Sequence, residues 1–128
     1  MSDSFSVVPL NSETRQWLAT QGLASLPSHD GRSATLEELV SALATLPEVS
    51  ISSVNESCFP DGELSTKTGL HTELIINERN NDEGLCEFHF RGGHPELIER
   101  IVFALSKHVG PLFIYAHSGS YTKVMHAS

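Results

Sequence analysis

Residues 86–96 read CEFHFRGGHPE and set two histidines, His89 and His94, among Glu87, Arg91 and Glu96. Imidazole is the side chain whose unperturbed pKa lies nearest neutrality, so the stretch has the ingredients of a metal ligand set or an acid–base pair. Its spacing does not specify either, because no H-x-H or H-E-x-x-H pattern occurs. Two further histidines enlarge the set: His71 opens one alternating segment and His117 closes another. If the strand from His71 runs antiparallel to the one ending near Gly92, and the strand ending at His117 runs parallel to it, then His71, His94 and His117 share one end of a sheet. Glu73 and Arg91 sit one step further in. That trio is the alternative site, for zinc or a related metal or for acid–base catalysis. The preferred reading assigns no catalytic residue, no metal and no cofactor. Ser118 and Ser120 lie close to His117 but in no G-x-S-x-G elbow, and they read as a turn.

Whether these residues meet depends on the elements that carry them. FSVV alternates weakly and suits a short first strand. SETRQWLATQG reads as a helix with Asn11 or Ser12 as N-cap, Gly22 as its stop, and Trp17 and Leu18 on its apolar side. Pro27, Asp30 and Gly31 make the next segment a loop. Thr35-Leu36-Glu37-Glu38 is a capping box that starts a second helix with Leu36, Leu39, Val40 and Leu43 on one face, and Pro47 ends it. Val49 and Ile51 then alternate with serines as a strand. NESCFPDGELSTKTG, punctuated by Pro60, Gly62 and Gly69, reads as a long loop.

Residues 71–79 and 85–91 form a hairpin around NNDEG. Its register is constrained, because a slip by one residue would turn every apolar side chain outward. Pairing Ile76 with Phe88, Leu74 with Phe90 and Glu73 with Arg91 keeps the apolar face whole and sets opposite charges across from each other. His89, between Phe88 and Phe90, then falls on the polar face. Gly92-Gly93 breaks the strand, and Pro95 occupies the first turn of a helix with an apolar stripe of Leu97, Ile98, Ile101, Val102, Leu105 and Val109. Residues 112–116 are apolar throughout, as a strand buried on both faces must be, and Ser118-Gly119 turns into a last strand at 121–125.

The pattern predicts one α+β domain over residues 1–128. It is a two-layer sandwich with a mixed, mainly antiparallel sheet of four to five strands and two or three helices packed on one face. The arrangement is close to ferredoxin-like if the first strand is real.

Charge narrows the function classes. Sixteen acidic residues stand against eight basic ones, a formal net charge of -8, so the basic footprint required by nucleic acid or anionic lipid is missing. No apolar run is long enough to span a membrane and MSDSFSVVPL is no leader, which points to the cytoplasm. Cys58 and Cys86 form no C-x-x-C pair and read as reduced thiols.

Phe103 falls opposite the apolar stripe of its helix, among Glu96, Glu99, Arg100 and Lys107, where an aromatic suits an interface anchor. These features together predict a small acidic binding protein, a monomer or homodimer. It would mask a basic protein partner, such as a toxin, in the manner of a bacterial immunity protein or antitoxin. Asp61, Glu63, Glu73, Asp82, Glu83 and Glu87 would steer the partner, and His89, Arg91 and Phe103 would contact it.

Overall fold

The structure, a computed structural model, describes residues 4–22, 26–52, 62–78, 86–119 and 121–126. Strand β1 (Ser4–Pro9) turns through Asn11 into helix α1 (Ser12–Thr20). The Asn11 carbonyl side chain accepts the Thr14 N–H at 3.0 Å, and the Thr14 hydroxyl accepts the Asn11 N–H at 2.7 Å. This reciprocal cap satisfies donors that the helix itself leaves open. Helix α2 (Leu36–Ala44) begins the same way, with Thr35 and Glu38 exchanging bonds of 3.2 and 3.0 Å as the capping box predicts. Arg32 also reaches Glu38, and their hydrogen bond draws the Glu38 carboxyl down to about 2.

Strands β2 (Val49–Ser52), β3 (Gly62–Thr66), β4 (His71–Glu78) and β5 (Cys86–Arg91) follow, then helix α3 (Pro95–Val109) and strands β6 (Leu112–Ala116) and β7 (Thr122–Met125). They form a seven-stranded sheet in the order β2-β3-β4-β5-β1-β6-β7, and every neighbouring pair is antiparallel. The β4–β5 register is the predicted one: Ile76 faces Phe88, Leu74 faces Phe90 and Glu73 faces Arg91.

Two features correct the expected mixed sheet of four to five strands. First, β3 lies inside the segment that reads as a loop. It offers one large apolar side chain, Leu64, between Glu63 and Ser65, too little for a period to be legible. It is a strand because both its edges are paired, Leu64 lying between Ile51 of β2 and Thr72 of β4. Second, β5 and β6 do run parallel, as the connection through α3 requires, but they are not neighbours. β1 lies between them and is antiparallel to both, so that Phe5 faces Phe90 on one side and Ala116 on the other.

The helices are divided between two faces, which corrects the expectation of a two-layer sandwich with all of them on one. α2 and α3 bury Leu39, Leu43, Leu97, Ile98, Ile101 and Leu105 against Leu64, Leu74, Phe90, Phe5 and Ile114. α1 lies on the opposite face, where Leu18 packs with Leu10 and Phe113, and the Trp17 ring stacks 5.8 Å from Phe113. The physical reason is β6. Leu112 and Ile114 point one way and Phe113 and Tyr115 the other, so the strand needs an apolar cover on each side.

The loop before α2 is held closely to this frame. Gly31 and Arg32 donate to Leu10 and Val109 at 2.9 and 3.0 Å, and a Cβ on Gly31 would come within 2.0 Å of the Pro111 carbonyl. Among the described residues no helix is long and apolar enough to cross a membrane.

Candidate functional site

The described helices leave part of the α1 side of the sheet without a helical cover, and strand alternation decides what is displayed there. One row across β3, β4, β5 and β1 carries Glu63, Glu73, Arg91 and Ser4. The next row, across β4, β5, β1 and β6, carries Ile75, His89, Ser6 and Tyr115. α1 packs over Val8, Phe113 and Tyr115, at the β1–β6–β7 side of this face. No described helix contributes to a cluster over the β3–β5 side.

The first row is acidic at its β3 end. Glu63 and Glu73 stand directly opposite one another, an arrangement that costs a sheet stability because like charges are brought together. The Arg91 guanidinium lies 3.7 Å from the Glu73 carboxylate, but both are well exposed and the solvent screens most of their attraction.

The second row borders a cleft. β1 and β5 remain paired only from Ser4 and Arg91 to Ser6 and His89; beyond that, β1 follows β6 and β5 follows β4. The divergence opens about 350 Å³ between Val8 and Phe88 and reaches Leu105 of α3. Ser6, His89, Tyr115 and His117 line its open-face side. His117 leaves β6 with its N–H on the Ser4 carbonyl at 2.9 Å, and its Nε2 shares a 2.7 Å hydrogen bond with the Ser6 hydroxyl. Burial pushes the His89 pKa below its ordinary value; the charges of Arg91 and His117 add to this, and Glu73 opposes it.

A serine hydroxyl on an imidazole is the first contact of a nucleophilic site, which also needs a group to orient the base. No carboxylate among the described residues hydrogen-bonds the His117 ring, and Ser6 sits on regular strand. Ser6 and His117 present a hydroxyl and an imidazole to the cleft as hydrogen-bonding groups.

His71 and His94 do come together. Their rings meet edge to face at 4.7 Å, the His71 N–H donates to His94 Nδ1 at 3.1 Å, and the His94 N–H donates to the His71 carbonyl at 2.8 Å. The pair ties the start of β4 to the start of α3. Gly93 makes the approach possible, with a φ of +86° and no room for a Cβ, which would lie 2.0 Å from the His71 carbonyl. His117 is at the same end of the sheet but on the third strand from β4, about 14 Å away at normal strand spacing. Among the described residues no three His, Cys, Asp or Glu side chains are grouped to hold a metal ion.

The remaining predicted contacts are dispersed. Glu63, Glu73, His89 and Arg91 share the open face. Phe103 is on α3, in the helical layer on the other side of the sheet, 40% exposed with Lys107 Nζ 5.5 Å over its ring. The backbone of Glu87 pairs with Asn77, while its side chain, like Asp61, Asp82 and Glu83, lies outside the described residues. Sequence reasoning missed Ser6 and Tyr115. Ser6 is 111 positions from His117, and only the antiparallel seating of β1 against β6 joins them. Compared with protein-family models, curated proteins and solved structures, the chain matches none.

Proposed function

We propose that this protein binds and masks a basic protein partner, in the manner of a bacterial immunity protein or antitoxin, through the acidic part of its open sheet face. The observation that carries this reading is the Glu63–Glu73 pair, two acidic residues in register across β3 and β4 where a neutral residue would stabilise the sheet better. A cationic side chain from a partner removes that repulsion on binding. The charge balance supports it: of eight basic residues, Arg15, Arg32, Arg91, Arg100 and Lys123 are each already held against a carboxylate of this chain. The protein acts by binding, not catalysis, in the cytoplasm, as a monomer or homodimer. The order β4-β5-β1-β6 supports reading the central strands as a ferredoxin-like unit extended at both edges.

A dedicated inhibitor needs its target, so the protein encoded by the adjacent gene is the partner to test. Association is measured at about 50 mM and about 300 mM salt, for the unaltered chain and for Glu63→Gln/Glu73→Gln. Steering by carboxylates predicts an on-rate that falls about tenfold or more between those salts, and a smaller fall in the variant. No association, or association indifferent to both salt and variant, refutes the reading.

A further inference from the structure

We propose that the cleft between β1 and β5 binds a small organic anion with an apolar body, such as a carboxylate on a short hydrocarbon chain. The cleft holds about 350 Å³, near the lower end of the roughly 300–1,000 Å³ typical of small-molecule sites. Its lining divides by chemistry. Val8, Phe88 and Leu105 give apolar walls, while Ser6, His89 and His117 place a hydroxyl and two imidazoles at the open-face side. Apart from Ser33, on the loop before α2, the polar side chains gather at the open-face end of a largely apolar slot, a composition that orients an amphipathic ligand.

The sign of the ligand's charge follows from the lining: Ser6, His89, Tyr115 and His117 offer hydrogen-bond donors, and no described carboxylate lines the cleft to pair with a cation. Arg91 stands on the same strand as His89, Glu73 of β4 pairs with Arg91, and His117 lies beyond β1 at the end of β6. Burial and the charges of Arg91 and His117 oppose protonation of His89, and Glu73 favours it. A carboxylate seated there accepts hydrogen bonds from the hydroxyl and the imidazole N–H groups, whereas an ammonium finds no carboxylate partner among the described lining residues. The site does not use Glu63, so it stands or falls independently of the basic-partner reading.

The test uses three probes of equal length, octanoate, octanamide and octylammonium, titrated into the full chain near neutral pH by calorimetry with the imidazole proton resonances as a second readout. Octanoate is expected to shift the His89 and His117 signals and to bind at least about tenfold more tightly than the other two. His89→Ala/His117→Ala is expected to cost octanoate at least about tenfold, and Val8→Phe, which narrows one wall, to weaken all three probes. Urea midpoints of both variants separate lost binding from lost folding. The proposal is overturned if no probe binds, if octylammonium binds as tightly as octanoate, or if octanoate affinity survives in a folded double histidine variant.

Discussion

On the open face Glu63 and Glu73 confront each other across β3 and β4, while His89 of β5, Ser6 of β1 and His117 at the end of β6 border a cleft. The acidic part is built by consecutive strands, each joined to the next along the chain. The imidazole part requires β1, the first element, to enter between β5 and β6, so residues 6 and 117 meet from opposite ends of the described chain. Neighbouring strands thus give a surface determined by local register. A surface assembled by β1 depends instead on the core that holds β1 in place.

The comparison is broken most severely at Phe5. It is 5% exposed, lies between Phe90 and Ala116, and meets Tyr121 edge to face at 5.8 Å. Phe5→Ala should cost about 3–5 kcal/mol in a urea titration. Amide exchange near Ser6 and His117 should accelerate more than exchange in the β3–β4 hairpin; uniform acceleration would mean that the two parts are one cooperative unit. A smaller change sharpens the acidic side. Glu63→Gln removes the like-charge pair and should raise stability by about 0.2–1 kcal/mol, while weakening the basic partner. A variant that loses both stability and binding would show that Glu63 has a structural role instead.

The smallest effect is a difference in pH response. Because the His89 pKa is lowered in the folded chain, the unfolded chain takes up its proton first, so stability should decline as pH falls through the ordinary histidine value near 6.5. His89→Asn should flatten that slope. The Arg32–Glu38 contact responds in a separate range: with its carboxyl drawn to about 2 from 4.5, its contribution is intact above 4.5 and lost as pH falls toward 2. Arg32→Ala should diminish only this lower step. Arg32 is beside α2, so the two slopes distinguish the open face from the helical layer.

Much of the acidic part was legible in the sequence because the β4–β5 hairpin is a local, strongly alternating element. Its register places Glu73 beside Arg91 with no knowledge of the rest of the fold. Glu63 reads from the sequence as a loop acid, and only β3, whose single large apolar residue gives no readable period, sets it on the open face. The cleft was not legible at all. Ser6 is one of several serines in a weakly alternating segment, and nothing in its neighbourhood marks it out. His89 reads from the sequence as a solvated polar-face residue; the structure sets it on that face, and the cleft beside it is a product of strand divergence.

Alternation, caps and glycine breaks in the sequence determined the helices, the central hairpin register and the fact that β6 must be covered on both sides. Those features arise from interactions between near neighbours and from the periods of strand and helix, which any short window contains. Tertiary structure alone decided that β1 lies between β5 and β6, that α1 crosses to the opposite face, and that a serine and two histidines surround one cleft. These outcomes depend on which strand edges find backbone partners and which apolar faces find cover. Both are settled only when distant segments of the chain meet.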